Sequence, residues 1–297
     1  VNRLSVNEWF LQMAIEKDLI QTTPFLVPPG GPADLLGRST DFRPDDLSKS
    51  DAEKRLQRIK SRLSDLQYQL YSENKRSLLV VLQAMDAGGK DGTIRKVMTG
   101  FNPQGCKVHS FKKPTERELE HDFLWRIHRV CPPKGEIGVF NRSHYEDVLV
   151  VRIHDLVPEE KWRSRYDVIN GFESILQQHG TKVVKFFLHI SPEEQLQRFA
   201  KRLENPKKNW KISDSDYSER KFWPKYIEAF EEAIQRCNSQ SAPWYVIPAD
   251  NKWFRDLAIA SVLHQTLTDM DLQMPKPTVN LFEIQKMYHQ AVKDSSS

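Results

Sequence analysis

Long hydrophobic runs are missing from this chain: no apolar stretch approaches the roughly 20 residues that a membrane-spanning helix needs. The N-terminal stretch also lacks a basic segment followed by an apolar one, so no secretory leader is expected. Cysteine is scarce. Cys106, Cys131 and Cys237 are odd in number, widely spaced and without a C-x-x-C pair, which argues against a disulfide framework and a thiolate zinc site. These absences together predict a cytoplasmic setting without membrane attachment. No internal repeat is visible, and the net charge is only +4. With 28% charged and 39% hydrophobic residues, the 297-residue chain has the composition of a folded protein, built as one large domain or two small ones.

The modest total charge hides an uneven distribution. Between Lys90 and Arg129 nine Lys/Arg stand against five Asp/Glu, and between Arg198 and Lys225 nine stand against four. The remainder is therefore acidic. Two basic segments in an otherwise acidic chain predict an anionic ligand, although a solvated helix face accounts for either segment taken alone.

Residues 1–75 read as an extension. Thr22–Pro32 is too rich in proline and glycine for regular structure. Ser50 and Glu53 form an expected capping box. After them Leu56, Ile59, Leu63, Leu66 and Leu70 make one apolar stripe on a long helix, for packing on the core or for a helix–helix dimer seam. From there strands and helices alternate. The strands are expected at Leu78–Ala84, Lys107–Ser110, Ile137–Asn141, Val183–Ile190 and Trp244–Ile247. Helices are expected at Thr93–Thr99, Thr115–Val130, Pro158–Gln178, Pro192–Leu203, Tyr217–Cys237 and Lys252–Met270. This alternation predicts an α/β fold, a three-layer αβα sandwich around a mainly parallel five-stranded sheet. The core is expected over 76–275, with a helical lid at about 203–225. A C-terminal helix, Leu281–Val292, and a tail should occupy 276–297.

The first chemical signal is Ala84-Met85-Asp86-Ala87-Gly88-Gly89-Lys90, between an apolar strand and a helix start. Strand, glycine-rich turn and helix aim backbone N–H groups and a lysine at phosphate oxygens. Ala87, Gly88, Gly89, Lys90, Asp91 and Gly92 are therefore the expected phosphate cradle. The loop lacks two of the usual marks. Ala84 replaces a glycine, and Asp91 stands where a magnesium-binding hydroxyl is usual. Asp86 inside the loop would repel phosphate unless a hard cation intervened, so it is the candidate metal ligand, with Mg²⁺ expected and Mn²⁺ as a substitute. A turn-capping Asp is the structural alternative.

The second signal is Asn141-Arg142-Ser143-His144-Tyr145-Glu146-Asp147 at the end of the third strand. Arg142 can clamp a phosphate in a bidentate fork. Glu146 and Asp147 can serve a metal or an acceptor, or simply answer a helix dipole. His144 reads as a structural histidine. In the third, Arg198 and Arg202 share a helix face before Asn205-Pro206, and a loop with Lys207, Lys208, Trp210 and Lys211 follows. This is the pattern of a lid closing arginines onto a phosphoryl group, or of a nucleic-acid-binding surface. A fourth stretch, Lys112–Glu118, offers Lys113 and Arg117 to a second substrate, or is a plain capped helix start.

Taken together, these segments resemble the family-2 polyphosphate kinases of the thymidylate-kinase-like P-loop fold, over roughly Leu47–Asp271. The A-M-D-A-G-G-K-D-G loop, the F-N-R-S-H-Y-E-D-V-L run and the N-P-K-K-N-W-K lid carry the likeness. The resemblance implies phosphoryl transfer between inorganic polyphosphate and nucleotides with Mg²⁺. It gives Asp86 the metal, and Lys90 and Arg142 the phosphates. Arg198 and Arg202 come from the lid, with Lys207, Lys208 and Lys211 on the polyanion. Lys113, Arg117, Asn141 and Glu146 fall on the nucleotide side. Many members carry Asp where this chain has Asn141, which brings no charge; the N-R-S-H-Y-E-D form looks like the class III branch, which accepts nucleoside mono- and diphosphates. Family members tend to form dimers or tetramers, so a homo-oligomer without nucleic acid as partner is expected. An ATP-dependent nucleoside monophosphate kinase and a nucleic-acid-binding P-loop module are the competing readings.

Overall fold

The strand that feeds the glycine-rich loop, β1 (Ser77–Ala84), is buried at all eight positions and lies at the centre of the sheet. The computed structural model describes residues 15–295. β2 (Cys106–Ser110), β3 (Ile137–Asn141), β4 (Thr181–His189) and β5 (Trp244–Pro248) complete a parallel sheet in the order β2-β3-β1-β4-β5. All five expected strands are present. A parallel sheet covered on both faces explains their near-continuous apolar runs. Its register puts Val80 beside Val139 on one side and Val184 on the other.

The helices are α1 (Lys49–Glu73), α2 (Lys90–Val97), α3 (Glu116–Leu119), α4 (Trp125–His128), α5 (Glu146–Ile153), α6 (Glu159–Gln178), α7 (Pro192–Leu203), α8 (Asp214–Arg220), α9 (Trp223–Arg236), α10 (Lys252–Asp269) and α11 (Leu281–Asp294). α1, α2 and α10 pack together, and α5 packs with α6 and α9. The α1 stripe is buried at Leu56, Ile59, Leu63 and Leu70 against α10, so it serves this chain's own core. The cap is Ser48, whose Oγ accepts from Asp51 N at 3.1 Å, two residues before the expected Ser50.

Three helix expectations need correction. The single helix over Thr115–Val130 is instead α3 and α4, because Asp122 Oδ1 accepts from Leu124 N at 2.9 Å and turns the chain. Tyr217–Cys237 is broken between α8 and α9, where Pro224 sits in the first turn of α9 and brings no N–H to a preceding helix. α5 was not anticipated as an element; its eight residues follow β3 too closely for a periodic pattern to show. α11 forms as expected, with no buried residue. No helix among the described residues is long and apolar enough to cross a membrane.

Beneath the β3–α5 turn lies a buried ionic cluster. Lys185, in the middle of β4, donates to Glu173 Oε2 at 2.5 Å, to Cys237 O at 2.6 Å and to Tyr145 Oη at 3.1 Å. Tyr145 Oη donates to Glu173 Oε1 at 2.8 Å, and His144 Nε2 lies 3.2 Å from the same oxygen. Burial pushes the Glu173 carboxyl up, but Lys185 and His144 outweigh it and hold the pKa below its ordinary value. Replacing Lys185 by methionine strands that carboxylate in the core. The expected loss, read from urea unfolding, is about 3–5 kcal/mol; a loss below about 1 kcal/mol would show that the cluster is not coupled to folding.

Candidate active site

The loop between β1 and α2 is held by its own backbone. Gly88 N donates to Met85 O at 2.9 Å, and a Cβ on Gly88 would lie 2.4 Å from the Ala84 methyl. Ala87 and Gly89 have φ of 59° and 105°, left-handed conformations that turn the chain sharply. The Lys90 ammonium reaches back to Ala84 O at 3.0 Å, across the mouth of the loop. Burial, and then the nearby Arg142, pull its pKa down to about 8, against the pull of Asp86, Glu146 and Asp91.

Opposite stands the turn after β3. Arg142 itself has φ 62°, rare for a side chain of this size, and its N–H donates to Leu82 O at 3.1 Å. This strained backbone, set on the Tyr145–Glu173–Lys185 cluster, turns the guanidinium toward the loop. Arg142 Nη2 lies 3.3 Å from Asp86 Oδ1. Burial raises the Glu146 pKa, and Arg142 and Lys90 beside it only partly offset the shift. Asp86, Lys90, Arg142 and Glu146 therefore meet at the carboxyl ends of β1 and β3, where parallel α/β sheets bind ligands. Asp147 turns away. Burial lifts its pKa to about 6 although Arg165 and Arg126 face it.

The remaining candidates are placed differently. Asp91 is tied to two other elements. Its carboxylate accepts from Asn141 Nδ2 at 2.9 Å and from Lys211 Nζ at 3.1 Å, joining α2, β3 and the turn at Asn209–Lys211. Lys207 and Lys208 are exposed. Arg202 braces the 203–225 segment from within, with Nη1 donating to Lys211 O at 3.0 Å and Asp216 3.7 Å away. Arg198 is buried beneath the loop rather than exposed on the helix surface. It donates to Ala87 O at 2.8 Å, to Ala249 O at 2.5 Å and to Glu194 at 2.7 Å. A guanidinium whose donors are spent on backbone carbonyls and the Glu194 carboxylate fixes the loop from below, without a free fork for a phosphoryl group. Gly92 packs against the Arg255 guanidinium. Lys113 and Arg117 are exposed beyond β2, where Thr115 and Glu118 form a complete capping box.

Several positioning groups had no short-range signal. Gln195 Nε2 donates to Asp86 O at 2.8 Å, and Arg220 Nη1 of α8 donates to Gln195 Oε1 at 2.7 Å, so α8 is tied to the loop through one buried amide. Arg255 lies against Gly89 from α10. Only Lys185 left a trace, as a lone lysine inside the apolar run of β4.

A parallel sheet of this order, with a strand–glycine-rich loop–helix at its centre, is the architecture of the P-loop kinase-like proteins. The family described as Polyphosphate kinase 2 (PPK2) matches residues 46–275, and the chain belongs to that family. It is 51% identical over 241 residues to the AMP/ADP-polyphosphate phosphotransferase of Meiothermus ruber, covering 80% of this chain and 90% of that protein. The ADP-polyphosphate phosphotransferase of Rhodopseudomonas palustris is 44% identical over 271 residues, 87% of this chain and 94% of its own length. The crystal structure of polyphosphate kinase 2 from Arthrobacter aurescens TC1 superposes with a TM-score of 0.87 at 35% identity, covering 92% of this chain and 99% of that one.

Proposed function

We propose that the protein transfers a phosphoryl group from inorganic polyphosphate to ADP and to AMP, reversibly and with Mg²⁺. The observation that carries this reading is a carboxylate, Asp86, inside a phosphate loop and facing Arg142 at 3.3 Å. The names of the two relatives support the substrates. Asp86, with Glu146 nearby, provides the one or two carboxylates that Mg²⁺ takes beside phosphate oxygens and water. When bound there, the ion would neutralise charge on the phosphoryl oxygens.

The chain's own residues supply the rest. Lys90 and Arg142 hold the terminal phosphoryl from two sides, while Arg198 keeps the loop in shape. The P–O bond to the rest of the donor chain breaks as a new P–O bond forms to a terminal phosphate oxygen of ADP or AMP. The donor leaves one unit shorter. The attacking oxygen is already ionised at neutral pH, so positioning and charge, rather than a strong base, carry the step. His144 is accordingly free to be structural, fully buried against Glu173.

The test is ATP formation from ADP, and ADP and ATP formation from AMP, with and without long-chain polyphosphate. Equal yields without polyphosphate would overturn the reading. A phosphorylated protein formed from polyphosphate before nucleotide is added would refute direct transfer. A pH profile gives a further check. Lys90 in the free enzyme is cationic below about pH 8 and neutral above it. kcat/KM for polyphosphate is therefore expected to fall about tenfold per pH unit above that point, and Lys90→Arg should remove the fall.

A further inference from the structure

We propose that the C-terminal helix α11 is exchanged between two copies of this chain, its apolar face seated in the groove between α4 and α6 of the other copy. Such an exchange stands whichever phosphate donor the site takes. α11 lies beyond residue 275, where the family match ends, so this arm is an addition to the part that the family shares.

The receiving face is on α6. That helix already buries one side, with Trp162, Tyr166, Ile169, Phe172 and Leu176 turned into the core. A second apolar stripe runs down its outer side: Val168 at 47% exposed, Gly171, and Ile175 at 58%, at spacings of three and four. Leu124 and Trp125 wall the opposite side, and the Arg129 guanidinium lies 4.5 Å from the centre of the Trp125 ring. Together they enclose a groove of about 700 Å³. Gly171 opens its floor. Nothing lies within 4 Å of where a Cβ on Gly171 would be, so no contact within the chain calls for glycine there. Glycine in a helix interior is destabilising, and close approach by another element is a standard reason to keep it.

The occupant is present in the same chain. On α11, Leu281, Ile284, Met287, Tyr288 and Ala291 recur at helical spacing and form one apolar stripe, all of it exposed. Phe282 is on the other side, where the Lys286 ammonium lies 4.3 Å from the centre of its ring. A helix of 14 residues is marginal in water without a surface to pack on. Its own groove does not receive it. α11 has no buried residue and follows an exposed linker, 273–280, that carries Pro275 and Pro277. Such a linker is stiff and extended, and it holds the helix off the body it belongs to. Two copies related by a twofold axis resolve both faults at once, each lending its helix and filling its groove. Charge agrees with this pairing. Glu283, Met287 and Asp294 share a face of α11, giving the stripe an acidic border, and Arg129 and His128 rim the groove. The two seats together have the size of a stable interface, about 1,200–2,000 Å².

The test is the mass of the full chain in solution, by sedimentation equilibrium, for the unaltered protein and two variants. Ile284→Glu/Met287→Glu puts charge on the helix stripe, and Gly171→Leu fills the floor of the groove. The unaltered chain is expected to be dimeric or larger. Each variant should weaken self-association about thirtyfold or more, the range of an interface hot spot. Circular dichroism should hold in both, and Gly171→Leu should raise α6's own helical preference. An equimolar mixture of the two variants keeps one sound helix and one sound groove, and should recover a dimer with one chain of each kind. A monomeric unaltered chain, or masses unchanged in both variants, would overturn the exchange and leave the groove to a different partner. Loss in only one of the two variants would overturn it as well. So would a mixture that stays dissociated, the result for a helix that folds back on its own groove.

Discussion

Replacing Lys90 by methionine is expected to lower turnover by about 10²–10³-fold, the range for removing one preorganised charge from a transition state. The methionine keeps most of the side chain's length and removes the ammonium that lies 3.0 Å from Ala84 O at the mouth of the loop. Arg142 enters from the opposite side and cannot take its place, because its backbone is fixed at φ 62° and its guanidinium is engaged with Asp86. The loop itself should survive. Gly88 remains bonded to Met85 O and Ala87 to Arg198, so the circular dichroism and melting temperature should barely move. A variant that retains more than a tenth of wild-type turnover would remove Lys90 from the proposed chemistry.

Asp86→Asn should be the second most damaging single change. It preserves shape and deletes one charge, leaving Glu146 and Asp91 as the carboxylates near Lys90. Even groups that only support a metal ligand cost 10–100-fold in metal affinity when changed. The loss for a direct ligand should be at least that large, so the half-saturating Mg²⁺ concentration is expected to rise by about 10–100-fold. Turnover at fixed Mg²⁺ should fall in step and recover partly at high Mg²⁺. That partial recovery is the diagnostic outcome. If Asp86 instead served only to cap the turn, activity would fall without any change in the Mg²⁺ dependence.

The sheet and the loop were legible because their signals are local. Leu78–Leu82 and Val183–Ile190 are apolar runs of strand length, and Gly88-Gly89-Lys90 follows one of them directly. Arg142 was legible for the same reason, lying one residue beyond a strand. The role of Asp91 was not. Its partners, Asn141 and Lys211, come from elements far away in sequence, and nothing in the order of residues shows that three such side chains converge. Arg198 shows the reverse error. Its spacing to Arg202 correctly placed both on one helix, yet burial depends on Ala249 and Asp250, which reach it only through β5. Sequence periodicity reports which residues share a helix face, and the rest of the fold decides what that face meets. The break before α9 was visible as Pro224, but the apolar residues on both sides continued a helical pattern and concealed it.

The position of β1 also governs how the protein assembles. Leu78 pairs with Ile137 and Ser77 with Thr181, so the strand that carries the glycine-rich loop has no neighbour close to it in sequence. Both pairings must wait for long stretches of chain to close, and such non-local parallel pairings are slow to form. Recovery of polyphosphate binding is therefore expected to track the slowest phase of refolding. A fragment ending before Thr181 would leave one whole edge of β1 bare, exposing a ladder of unpaired backbone groups prone to self-association.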